Sequence, residues 1–135
     1  MLFEASITIP ASTASTAPTE AMLKIAHGII SKIMVRPRPG HAALAHCVIL
    51  HHEHQIAPST EGMDFAGDTF PIDWEECYEV DQPPYELKIK GWNDDDTYAH
   101  TFDIFVAMLE EAVVNKESAL VTGLKKFLRM VGVGI

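Results

Sequence analysis

Five of the seven histidines fall within residues 41–54, and His52 and His54 stand two apart, the spacing that puts two imidazoles on one side of a β-strand. With His46 they form the best candidate metal set, because imidazole nitrogen is a common zinc ligand. The HxH pair lacks an acid three or four residues later, since the first acid after His54 is Glu61, and no HExxH helix offers an alternative. The competing reading of His51-His52-Glu53-His54 is the polar tip of a hairpin, so the expectation is no metal and no cofactor. Acid runs are the second candidate. Asp94-Asp95-Asp96, and separately Glu61, Asp64 and Asp68, are oxygen-rich in the way calcium loops are, without EF-hand spacing. Trp92 and Tyr98 flank the first run, so Trp92, Tyr98, Asp94, Asp95 and Asp96 form an alternative set for a carbohydrate- or small-ligand-binding module.

Catalytic constellations are harder to find. There is no GxSxG elbow, no phosphate-binding glycine loop and no Cys–His nucleophile pattern, and the serines sit mainly in turns or low-complexity sequence. Asp73, Glu75 and Glu76 supply carboxylates for glycosidic chemistry but no motif that would frame a cleft. The expectation is a protein that is not an enzyme.

With 135 residues, the chain has room for one domain. At 47% hydrophobic and 21% charged residues it has enough apolar matter for a core. The formal charge of −9 repels phosphate backbones and argues against nucleic acid as a partner. Acid is concentrated in the middle: residues 1–49 carry two acids against four bases, 50–111 sixteen against two, and 112–135 one against four. Opposite charge on different faces would favour contacts between copies. The start Met1-Leu2-Phe3-Glu4 lacks the basic flank and long apolar run of a signal peptide, and no 18 consecutive apolar residues occur. The expected location is cytoplasmic or particle-associated. Two cysteines, Cys47 and Cys77, are too few for a disulfide framework, though a single bridge between them is open.

These residues are carried on short alternating segments. Phe3–Ile9 alternates at period two and stops at Pro10; residues 10–19, PASTASTAPT, read as an exposed flexible loop or arm. The runs 21–26 and 29–35 flank His27-Gly28 and predict a hairpin. Ala42–Leu50 reads as a buried strand, Thr69–Trp74 as another that residues 75–80 could extend, and Tyr85–Trp92 alternates most cleanly, with Glu86, Lys88, Lys90 and Trp92 on one side. Asn93–Asp96 then predicts a hairpin turn into Tyr98–Leu109. Such a series predicts a mainly β protein, an antiparallel β-sandwich over residues 1–109, with jelly-roll and immunoglobulin-like connectivities both open.

The tail, residues 110–135, follows another period. Leu120, Leu124, Phe127, Leu128 and Val131 recur at helical spacing, with Ser118 able to cap the start and Lys125, Lys126 and Arg129 off the stripe, predicting a C-terminal amphipathic α-helix over 118–131. At roughly 1.5–3 kcal/mol per fully buried large apolar side chain, such a stripe is costly to leave in water. Those five residues are therefore the expected assembly contacts. A membrane surface is the weaker destination, since only three bases accompany the stripe.

The runs PPYELKIKGWNDDDTYAHTFDIFVAML and FAGDTFPIDW resemble the strand-turn-strand texture of small phage and particle-type β-sandwich or jelly-roll proteins, including capsid decoration proteins. That resemblance covers residues 3–109 and carries no diagnostic motif. It implies a non-catalytic subunit, usually symmetric, that holds neighbours through exposed strands, an arm or a terminal helix. The expected partners are accordingly further copies of the chain or a larger protein particle.

Overall fold

A computed structural model describes residues 1–110, so the helix expected over 118–131 and its five assembly residues lie outside the described residues. The described part is mainly β: β1 (Leu2–Ile9), β2 (Thr19–Lys24), β3 (Gly28–Pro37), β4 (Ala45–His51), β5 (His54–Ala57), β6 (Ile72–Val80), β7 (Glu86–Asn93) and β8 (His100–Leu109). They form two antiparallel sheets of four, ordered β1-β8-β3-β6 and β2-β7-β4-β5. The pairs β1/β8, β2/β7, β3/β6 and β4/β5 are nested, as when one long hairpin is rolled over itself. Of the two connectivities open from sequence, this is the jelly-roll order.

Alternation explains which side of each strand is buried. Ile7 and Ile9 of β1, Ile30, Ile33 and Val35 of β3, and Phe102, Ile104, Val106 and Met108 of β8 point inward from one sheet. Leu23, Cys47, Ile49, Leu87 and Ile89 meet them from the other, in one continuous cluster. Ile30 and Ile33 are an odd number apart, which strict period two would put on opposite faces. A register shift between Ile30 and Lys32 absorbs the extra residue and returns both to the core. At the closing edge β1 crosses β7, and a Cβ on Gly91 would come within 2.4 Å of Ile9 Cδ1, so the missing side chain lets the strands approach.

Several expectations change. The segments around His27-Gly28 do not make a hairpin: β2 pairs with β7, and β3 with β6 and β8, so the turn carries the chain between sheets. The same holds at Asn93–Asp96, since β7 and β8 lie in different sheets. Turn chemistry marks a reversal of the chain and says nothing about which sheet it re-enters. The adjacent pair β4/β5 is a true hairpin, with His52 and Glu53 at φ 49° and 62° in its turn. Ala42–Leu44 precede β4 instead of beginning it. Ile72–Trp74 and residues 75–80 form the single strand β6, which Thr69–Pro71 precede.

Residues 10–18 form the loop between β1 and β2. Thr13 bridges to Asn93, Ser12 N donates to Asp95 O at 2.8 Å, and Asn93 N donates to Thr13 O at 2.9 Å, stitching this loop to the end of β7. Cys47 is buried inside the sandwich while Cys77 is exposed on β6, and both are free thiols, which corrects the possible bridge. No helix among the described residues is long and apolar enough to cross a membrane.

Candidate assembly surface

The outer faces of the two sheets differ in chemistry. On the β2-β7-β4-β5 face, Glu86, Lys88, Lys90 and Trp92 point outward as their alternation requires. Lys88 is paired with Glu53 and lies 4.0 Å from Glu20, and Lys90 lies 3.9 Å from the same Glu20, so charge neutralises charge between β2, β7 and the β4/β5 turn.

The outer face of β1-β8-β3-β6 carries exposed apolar surface. Leu2 stands opposite Ala107, which stands opposite Lys32; one step along, Glu4, Phe105 and Met34 line up in the same way. Leu2, Lys32, Met34, Phe105 and Ala107 line a shallow depression there, and Leu2 is 69% exposed. Acids border it: Asp73 is opposite Met34, Glu75 opposite Lys32 and Glu79 opposite Ile29, all exposed on the edge strand β6. Lys32 and Asp73 form an ion pair of 3.2 Å. Further along, Arg38 holds Asp103 through two hydrogen bonds of 2.9 and 3.0 Å, and that fork keeps the Asp103 carboxyl below its ordinary range.

One end of the sandwich gathers the remaining polar residues. His46 presents Nδ1 to Asp64 at 2.6 Å and Nε2 to Asp94 at 3.0 Å, while its ring stacks on Trp92 at 5.5 Å. Asp95 accepts from Thr97 N, Tyr98 N and His100, and these bonds hold its carboxyl below the ordinary range. Asn93, buried, donates to the carbonyls of Ile9, Pro10 and Tyr98 and accepts from Asp95 N. Asp68 accepts from the backbone of Gly40 and Ala42 and from the Thr69 hydroxyl. Phe70 N donates to Asp68 O across Thr69, which sits at φ 65°, a tight γ-turn that leaves Phe70 81% exposed.

Of the three buried histidines, His41, His51 and His100, two keep a ring nitrogen without a hydrogen-bond partner. His41 Nε2 is 2.7 Å from Thr101 O, so it donates there, and its buried Nδ1 has no partner. His51 Nδ1 meets the Tyr78 hydroxyl at 2.7 Å, and its Nε2 is likewise unpartnered. Burial pushes both rings below the ordinary histidine range, with the neighbouring His52 adding to the effect at His51.

These positions decide what the sequence candidates can do together. His46 is the second residue of β4, whereas His52 and His54 belong to the hairpin at its far end, about 17 Å of strand away. His52 is in the turn, so it and His54 do not share a strand face. Among the described residues no group of three His, Cys, Asp or Glu is arranged to hold a metal ion. The three aspartates also diverge: Asp94 goes to His46, Asp95 braces its own loop, and Asp96 accepts from the Thr97 hydroxyl. Trp92 is occupied by His46, and Tyr98 is exposed on the loop. The polar stitching of this end was missed from sequence, although Asn93 and His100 offered a signal as polar residues at inward strand positions. The apolar face was missed because Leu2, Met34 and Phe105 come from three distant strands.

Comparison with known proteins bears on the fold. No protein-family model matches the chain, and no curated protein sequence does. A structural match spans 78% of this chain and 81% of a chain from the cyanophage Pam1 capsid asymmetric unit, with a TM-score of 0.51 and 11% identity. The fold resembles that of a phage capsid chain. At this identity the likeness is one of fold, and it agrees with the particle-type texture seen in residues 3–109.

Proposed function

We propose that the chain is a non-enzymatic structural subunit that associates with itself or with a larger, capsid-like protein particle. The observation that carries this reading is the two-sheet fold shared along most of both chains with a phage capsid component. The uneven outer faces support it, one neutralised by ion pairs and the other apolar at its centre. The polar residues that might have done chemistry are engaged in bracing loops against one another, which is a structural use. In this reading the contacts between subunits come from sandwich edges and from the stripe Leu120, Leu124, Phe127, Leu128 and Val131.

Sedimentation velocity over a concentration series tests it. The expected result is a mass above that of one chain, reduced to monomer when Leu124→Asp and Phe127→Asp are combined, with the far-ultraviolet β spectrum unchanged. A wild-type chain that remains monomeric at all concentrations and binds no particle overturns the proposal.

A further inference from the structure

The outer face of β1-β8-β3-β6 presents apolar side chains with nothing over them among the described residues, and the chain itself carries a segment of matching chemistry. We infer that this face is the seat of residues 118–131 from a second copy, an inference that rests on the assembly reading above.

Three observations argue for that occupant. The first is shape and composition. The depression lined by Leu2, Met34, Phe105 and Ala107 crosses three strands, and β strands of eight to ten residues give the face a length of about 27–34 Å. Fourteen residues at helical spacing would extend about 21 Å and offer a single apolar stripe, which fits across it. The second is charge. Asp73, Glu75 and Glu79 border the seat on β6 and Glu4 borders it on β1, with Lys32 already committed to Asp73. Residues 118–131 bring Lys125, Lys126 and Arg129 and no acid, so their bases meet an acidic rim. The third is position. β8 ends at Leu109, two residues beyond Ala107 in the seat, so the chain leaves its last strand beside that face. Residues 110–117 span up to about 27 Å when extended, enough to reach a neighbouring copy placed against this face.

Complementation tests the pairing directly. A seat variant, Leu2→Glu with Met34→Glu, keeps the stripe; a stripe variant, Leu124→Asp with Phe127→Asp, keeps the seat. Leu2 is 69% exposed at the start of β1, so its substitution leaves the core untouched, and a urea midpoint close to wild type verifies the fold. Each variant alone is expected to sediment as monomer, and their equimolar mixture to recover a heterodimer, because one intact stripe meets one intact seat. A separate pair of charge reversals, Glu75→Lys with Glu79→Lys, is expected to weaken association at least tenfold at low salt. Lys125→Glu with Lys126→Glu on the partner should restore it. If wild type assembles but the mixture stays monomeric, the seat is wrong, or is filled by the chain's own segment, while the assembly reading stands. If seat variants assemble as wild type does, the seat is wrong in the same way. A monomeric wild type overturns both.

Discussion

Replacing Asn93 with alanine should cost about 3–4 kcal/mol, a large share of the roughly 5–15 kcal/mol that holds a domain together. Asn93 is 2% exposed at the end of β7, and its side chain ties three segments at once. Nδ2 donates to Tyr98 O at 2.9 Å and is shared between Ile9 O and Pro10 O, each at 3.3 Å; Oδ1 accepts from Asp95 N at 2.9 Å. This amounts to about three hydrogen bonds, each worth about 1 kcal/mol net, with more lost because they are made in a buried place that water does not readily refill. The main-chain bond from Asn93 N to Thr13 O survives the substitution, so the loss reports the side chain alone. In urea, with a slope of about 1–3 kcal/mol/M, the midpoint should fall by more than about 1 M. Asn93→Asp keeps the acceptor, loses the donors and sets a negative charge against three carbonyls, and it should be at least as damaging. A loss below about 1 kcal/mol for the alanine variant would refute the claim that this residue holds the end of the sandwich together.

Acidification should weaken the fold. The unfolded chain takes up protons at His41 and His51 near the ordinary value of 6.5, while burial makes the folded rings resist protonation to lower pH. Their contribution is therefore complete above about pH 6.5 and declines below it, by at most about 1.4 kcal/mol per pH unit for each ring; urea midpoints that do not change between pH 7.5 and 5 would contradict this. Asp68, Asp95 and Asp103, all held below the ordinary carboxyl value, should add a second loss at pH below 3.8, seen as a further fall in thermal midpoint. Gly28→Ala should destabilise by about 2–4 kcal/mol, since its Cβ would lie 2.5 Å from Leu109 O and φ is +151°; calorimetry on the purified variant measures the loss. A thiol titration should find one fast cysteine, Cys77, in the native protein and two in urea, because burial both encloses the Cys47 thiol and raises its pKa above the ordinary range.

Much of the in-and-out pattern was legible from the sequence because period two is a local property. Tyr85–Trp92 showed it most clearly, and Leu87 and Ile89 are buried while Lys88 and Lys90 face out. Sheet partnership was not legible, because Gly28 and Asn93–Asp96 announce turns equally well for a hairpin and for a passage between sheets. The nested order arises from contacts such as Leu2 with Ala107, more than a hundred residues apart, which no local signal encodes. The His46 cluster failed for the same reason: its carboxylate partners are 18 and 48 residues away, so spacing within 41–54 pointed to a metal set that the hairpin at His52 and Glu53 separates. A better guide was parity combined with polarity. Asn93 and His100 fall at inward positions of strands whose other inward residues are apolar, and a polar group placed there must bring its partners with it. The same rule reversed locates the outer apolar face, since Leu2, Met34 and Phe105 fall at outward positions where water would ordinarily be met by charge. Residues that break parity in either direction are where this chain departs from a generic sandwich, inward to brace its loops and outward to leave apolar side chains at the surface.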